Sequence, residues 1–274
     1  MLSISTSKHH RYPHHQKQSK QIVGVYSEVG KLDLVLMHRP GRELERLTHK
    51  NKDIFLFEKI PNIQETQKSH DIFTDILRKN GVTVVYVLDV LRETLEQSPE
   101  ARQMLIDGVV QNQDLTKEAS NALTQFLSKL TPTQLAHTVI EGLASTEEEL
   151  VKEDTASILT RMCSSYEEFL VPPLPNLLFT RDSFSIIDKA VFIWRMAKSA
   201  RANEPLIMRV IFSFNTHHAQ LSLIGVRVIE WETYADPSAT VEGGDVAYLG
   251  EGTLMIGSSE RTNRAGIEAI ARTG

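Results

Sequence analysis

Two short acidic motifs hold the side chains of this 274-residue chain best suited to chemistry: Asn176-Leu177-Leu178-Phe179-Thr180-Arg181-Asp182 and Val241-Glu242-Gly243-Gly244-Asp245-Val246. Each ends one apolar segment and opens another, which places several carboxylates at strand edges in two matching units. A buried carboxylate at a strand end is costly unless something pairs with it. A planar guanidinium offers the fork of N–H donors that suits two carboxylates best. The pattern implies a grip on a guanidino group. The same residues also allow simpler roles, with Asp182 capping a turn and Gly243-Gly244 forming only a tight bend.

The elements that must position these residues can be followed along the chain. Residues 1–22 are polar and basic without periodic apolar positions, and are expected to form a disordered tail. His9, His10, His14 and His15 lie in it, but adjacent histidines in a flexible segment lack preorganised geometry, and no metal is expected. Residues 23–89 form a first unit: a strand over Leu32-Asp33-Leu34-Val35-Leu36-Met37, a turn at Arg39-Pro40-Gly41, a helix from Gln64 to Lys79, and a β-branched strand, Val82 to Val87, launched from Asn80-Gly81. From about Val90 to Val171 the texture becomes helical throughout, with Ser98-Pro99 and Thr131-Pro132 as helix starts and an apolar stripe of Ala119, Ala122, Leu123, Phe126, Leu127 and Leu130. This insert reads first as packing, with a lid or an oligomer contact as alternatives.

Over residues 172–274 the β pattern returns. Leu177 to Ile187 and Ala190 to Trp194 read as a hairpin across Asp188-Lys189, followed by a helical stretch and a strand from Gly225 to Trp231. Asp245 to Leu249, the turn Gly250-Glu251-Gly252-Thr253, Leu254 to Gly257 and a helix from about Thr262 repeat that order. An Asp opens each hairpin (Asp182, Asp245) and an Arg follows its second strand (Arg201, Arg261), giving a ββαβ repeat with a period of roughly sixty residues. Earlier helices run into Asn80-Gly81-Val82 and Ile224-Gly225-Val226, whereas the last stops at Thr273-Gly274. The expectation is an α/β chain forming an incomplete radial array, its last module cut short, whether as a fragment or as a truncated gene product. The open face of such an array would promote self-association.

Composition excludes several classes. A net charge of −5 with pI near 6.1 offers no basic stripe for nucleic acid. No segment approaches the roughly 18 apolar residues of a membrane span, and the N-terminus has no secretory apolar core. The single cysteine, Cys163, cannot form an intrachain disulfide, which suits a reducing, cytoplasmic compartment.

Five sets of residues together carry a family likeness: Glu28-Val29-Gly30-Lys31-Leu32 with Arg39-Pro40-Gly41; Phe179-Thr180-Arg181-Asp182; Met196-Ala197 with Arg201 and Glu204; Glu242-Gly243-Gly244-Asp245-Val246; and Ile256-Gly257-Ser258 with Glu260-Arg261-Thr262. In this ordered set the chain resembles the arginine deiminases of the guanidino-group-modifying α/β-propeller (pentein) superfamily. The resemblance implies hydrolysis of L-arginine to L-citrulline and ammonia through a covalent Cys-amidino intermediate, without metal or organic cofactor. It implies that Asp182 and Glu242 hold the guanidinium, with Glu242 also passing protons to the leaving ammonia. Arg201, Arg261 and Asn176 would bind the α-carboxylate, the Leu56 carbonyl the α-amino end, and Phe179 the aliphatic stem. Gly243 and Gly244 would let the backbone approach substrate, and Asp245 would hold site geometry or touch substrate. It also implies a homo-oligomer when complete.

The chain departs from the family at three points. The His-x-Asp motif and the C-terminal nucleophilic Cys are absent, no histidine follows His218, and Cys163 sits in Arg161-Met162-Cys163-Ser164-Ser165, outside any matching motif. Leu56-Phe57-Glu58-Lys59 replaces the family's two aspartates after Leu-Phe. The alternatives are a noncatalytic guanidino-binding or scaffold relative and, within enzymes, an amidinotransferase or a dimethylarginine hydrolase. Arg201 and Arg261 could also be surface residues paired with Glu204 and Glu260.

Overall fold

In the computed structural model, which describes residues 24–144, 169–215, 226–230 and 235–273, Gly81 takes the left-handed conformation (φ +80°) that ends one helix and starts a strand. That helix, α2 (Ile63–Lys79), follows β1 (Leu34–Met37) and a short α1 (Arg42–Glu45), and it is capped by the Asn62 side chain accepting from the Glu65 N–H. The strand β2 (Thr83–Tyr86) lies parallel to β1, with Leu34 opposite Thr83 and Met37 opposite Tyr86. A parallel pair needs a crossover, and α2 supplies it.

Helix begins again at Val87, three residues earlier than the sequence suggests: α3 (Val87–Gln97), α4 (Pro99–Gln111), α5 (Lys117–Lys129) and α6 (Pro132–Glu141). Ser98 and Thr131 cap α4 and α6 through their side-chain oxygens, with a proline in the first turn of each. The stripe on α5 is buried at Ala119, Ala122, Leu123, Phe126 and Leu127. The expectation of helix alone between 90 and 171 needs a correction at its end. Leu143–Ala144 (β3) pairs antiparallel with Phe169–Val171 (β4), because Leu170 and Val171 close against the core that buries Leu143 and α3 to α6, while Phe169 packs with Leu44, Leu47 and Phe55.

A second correction concerns the strand expected from Leu177. Pro175–Leu178 is a 3₁₀ turn and Thr180–Ser183 a single helical turn (α7), so the strand β5 covers only Phe184–Ile187. Pro175 fits the first turn, and backbone bonds Leu177 N–H to Leu174 O, Phe179 N–H to Asn176 O and Asp182 N–H to Phe179 O close successive loops. The hairpin turns at Asp188 (φ +50°) into β6 (Ala190–Ile193). The helix α8 (Asn203–Phe214) then crosses over to β7 (Arg227–Glu230), parallel to β6. Because α8 is buried on nearly every side, its apolar residues run around the whole circumference. The last unit is β8 (Val246–Gly250), a turn with positive φ at Gly250, Glu251 and Gly252, β9 (Thr253–Ile256) and α9 (Arg264–Thr273).

One continuous core joins Leu36 and Val85 of the first sheet, the inner faces of α3 to α6, Phe184 and Val191 of the second sheet, and Ile207 and Ile211 of α8. Burying each such side chain contributes about 1.5–3 kcal/mol. A smaller cluster of Trp194, Val241, Val246, Ala269 and Ile270 holds the last unit. Before β1, Val25 bridges Asp188 in both directions, at 2.9 and 2.8 Å. The tail with its four histidines, Cys163, Gly225 and Trp231, and Gly274 lie outside the described residues. No helix among the described residues is long and apolar enough to cross a membrane.

Candidate functional site

Asp182 sits on α7, immediately before β5, and Glu242 immediately before the 3₁₀ turn Gly243–Asp245 that opens β8. These two turns pack on each other, and a cavity of about 360 Å³ opens between them. Asp182, Glu242, Asp245, Arg201 and Arg261 line it, with Asn176, Phe179, Leu56 and Gly244 completing the wall. Of the two glycines, Gly244 lines the cavity and Gly243 lies behind it. A Cβ on Gly243 would stand 2.1 Å from the Arg181 carbonyl oxygen, so this glycine lets the two turns meet. At Gly244 a Cβ would instead meet Asp182 Oδ1 at 2.7 Å.

Arg201 forms the floor. It ends the 3₁₀ turn Ser199–Arg201 and its side chain is 4% exposed. All its N–H groups have protein acceptors. Nε and Nη2 take Glu204 bidentately at 2.9 and 2.8 Å, Nη2 also reaches Asn176 O at 3.3 Å, and Nη1 is shared between Asp182 Oδ2 at 2.8 Å and Glu242 Oε2 at 3.4 Å. Burial disfavours the Arg201 charge, but Glu204 and Asp182 outweigh it, so its pKa lies above the ordinary value. Glu204 is fully buried in the first turn of α8. Desolvation pushes it up to about 7, against the opposing pull of Arg201. The surface pairing considered for Arg201 and Glu204 thus exists as an ion pair, but in the interior. The signal available in sequence was the apolar circumference of residues 203–214, which forces any early charge on that helix inward.

Glu242 is held from three sides. Its N–H donates to Thr262 Oγ1 at 3.1 Å, the Ala197 N–H reaches its Oε1 at 3.2 Å, and Arg261 Nη1 approaches both of its oxygens at 3.4–3.5 Å. Asp245 accepts from Ser259 Oγ at 2.7 Å, and Ser259 in turn accepts from the Arg261 and Thr262 amides at 2.9 and 3.1 Å. Ser259 went unnoticed in the sequence, and Thr262 was named there without a role for its hydroxyl, because hydroxyls that accept backbone N–H bonds carry no spacing signature. Asn176 is buried, and its Nδ2 donates to Phe55 O at 2.8 Å, securing the loop in which Leu56 adopts φ +65°. Phe179 is 49% exposed at the mouth. Two carboxylates facing one guanidinium, with a second cation at the rim, can hold a molecule bearing a cation at one end and an anion at the other. Among the described residues no group of three or more His, Cys, Asp or Glu is placed to hold a metal ion.

A family model for arginine deiminase matches residues 53–273. Arginine deiminases of Rhodococcus erythropolis (strain PR4), Mycolicibacterium gilvum and Rhodococcus opacus (strain B4) are 39%, 38% and 40% identical over 251 to 252 residues, covering 92% of this chain and 59–60% of theirs. The chain therefore spans about three fifths of the length of these curated relatives. Among solved structures, SxtG, an amidinotransferase of Microseira wollei in the saxitoxin biosynthetic pathway, aligns with 91% of this chain and 61% of its own at a TM-score of 0.40 and 14% identity.

Proposed function

Since the chain belongs to the arginine deiminase family, we propose that it supplies the substrate grip for hydrolysis of L-arginine to L-citrulline and ammonia. The observation that carries this reading is a guanidinium, that of Arg201, already shared between Asp182 and Glu242. Substrate would exchange its guanidinium for Arg201 Nη1 at Asp182. The freed Arg201 would join Arg261 and Asn176 at the α-carboxylate, with the Leu56 carbonyl on the α-amino group and Phe179 over the stem. Gly244 would lie against the substrate and Asp245 would keep Ser259 and Arg261 in place. In the reaction a cysteine thiolate adds to the guanidinium carbon, Glu242 delivers a proton to the departing ammonia, and water then cleaves the amidino–sulfur bond to give citrulline and the thiol. We take the fold to be part of an α/β-propeller, with residues 23–89 and 172–274 as modules around a helical insert at 90–171, in a cytoplasmic homo-oligomer.

A second reading is a noncatalytic guanidino-binding relative, in which Asp182 and Glu242 hold a guanidinium without turnover, as they hold that of Arg201. One pair of measurements addresses both. Calorimetric titration of the 274-residue chain with L-arginine should give binding, weakened about 30-fold or more (~2 kcal/mol or above) by Asp182→Asn or Glu242→Gln. A citrulline assay on the same chain should give none. Undisturbed arginine affinity in both variants refutes the grip, and citrulline formation abolished by Cys163→Ser refutes the assignment of the nucleophile outside this sequence.

A further inference from the structure

Between Thr180 and Asp182 stands a residue the cavity does not use. Arg181 is only 17% exposed in its side chain, yet it is absent from the cavity wall. Its Nη1 and Nη2 take both oxygens of Glu28, at 3.0 and 2.6 Å, and Nη2 also donates to Val246 O at 2.6 Å. Nε donates to Gly243 O at 3.1 Å. One guanidinium thus binds the turn that precedes β8 at both of its ends, from a position adjacent to Asp182 in the chain. Glu28 completes the connection, its Oε1 also accepting the Tyr248 N–H at 3.2 Å. The segment carrying Glu28 is itself anchored, since Val25 bridges Asp188 and the Tyr248 hydroxyl donates to Asp188 Oδ1 at 2.7 Å.

Asp182 and Glu242 belong to different turns, and their own side chains meet only through Arg201. Besides that bridge, the turns are tied where Gly243 touches the Arg181 backbone and where the Arg181 side chain spans Gly243 and Val246. We propose that Arg181 and Glu28 are positioning residues which fix the separation of the two guanidinium-facing carboxylates. In its functional consequence this rests on the arginine-binding reading above. Misplacement by about 1 Å is enough to cost a positioned polar site 10²-fold. Burial works to raise the Glu28 carboxyl, and the bonds from Arg181 and the Tyr248 amide outweigh it, leaving its pKa below the ordinary value and the carboxylate charged. A lysine at position 181 would keep the charge but lose the fork, and could not serve Glu28 and two carbonyls together.

The test uses the 274-residue chain, with Arg181→Lys and the milder Glu28→Gln, in two measurements. Backbone amide exchange should accelerate at least tenfold at Asp182, Asp245 and Tyr248 in both variants while amides within α4 and α5 keep their wild-type rates. Titration with methylguanidinium, which has no carboxylate, should show affinity lowered at least tenfold. Exchange at those three amides unchanged within twofold overturns the proposal, and so does acceleration spread equally through α4 and α5, which marks a general loss of stability. Should wild type bind neither methylguanidinium nor arginine, the substrate reading fails and the exchange pattern alone decides whether the clamp exists.

Discussion

Arg201 and Arg261 stand at the same place in two units of the same order, each after the second strand of a hairpin that an aspartate-bearing turn opens, yet their surroundings differ. The Arg201 side chain is 4% exposed and saturated by carboxylates and a carbonyl, whereas that of Arg261 is 26% exposed and reaches Glu242 only at 3.4–3.5 Å. The cause lies in the segment just after each arginine. Behind Arg201 comes α8, buried along its length, which delivers Glu204 beneath the guanidinium. Behind Arg261 come Thr262 and Asn263, whose side chains cap backbone amides, and then α9 at the margin of a smaller core. A repeat fixes where a side chain emerges, while the next helix decides whether its charge is tied into the interior or left open to a ligand.

That contrast predicts a large difference in stability. Arg201→Met leaves Glu204 buried without its cation and should destabilise the chain by about 3–5 kcal/mol in urea unfolding. Arg261→Met, whose other partner Glu260 is 73% exposed, should cost less than about 1 kcal/mol. Equal losses would show that the two units are alike after all. A smaller effect separates the two glycines of the second turn. Gly243→Ala forces a methyl toward backbone and should lower stability by about 1–3 kcal/mol, whereas Gly244→Ala meets only the movable end of Asp182 and should spare the melting temperature while weakening arginine binding. The reverse ranking would place Gly243, and not Gly244, against the ligand.

The gentlest probe is pH. The folded protein raises Glu204 from an ordinary 4.5 to about 7, so it holds that proton more tightly than the unfolded chain does. The stability this group contributes is present below about pH 4.5 and is lost as the pH rises through 7. Glu28 acts in the opposite sense: its lowered pKa contributes stability above the ordinary carboxylate value, lost as pH falls through the folded value. Urea midpoints collected between pH 4.5 and 8 should therefore slope less steeply downward in Glu204→Gln than in wild type. Identical slopes would mean that the Arg201 pair does not titrate as its burial requires.

Much of the scaffold could be read from local chemistry. Gly81 and the hairpin at Asp188-Lys189 mark strand boundaries through backbone conformation, and Ser98-Pro99 and Thr131-Pro132 mark helix starts through capping. Leu177-Leu178-Phe179 could not be read the same way, because a short apolar run fits a strand and a buried turn equally well. The cavity is lined by Asn176, Phe179, Asp182, Arg201, Glu242, Asp245, Arg261 and Leu56, and of the two glycines named beside them by Gly244. The sequence could not reveal that Arg201 spends its N–H groups within the protein, since that depends on how α8 seats Glu204. Nor could it show that Arg181 faces Glu28, a pairing between residues 153 positions apart.

The strap at Glu28 also sets an order of events during synthesis. Glu28 and the Tyr248 amide that it accepts are separated by 220 residues. At about 5–20 residues per second on the ribosome, Glu28 waits roughly 10–40 s for its partner to be made. Throughout that interval the nascent chain can assemble the first sheet and the helices after it, but the two carboxylate-bearing turns cannot be tied together. The cavity between these turns is thus among the last parts of the described structure to take shape, and a ribosome stalled before Tyr248 would carry a protein with a folded core and an unfinished cavity.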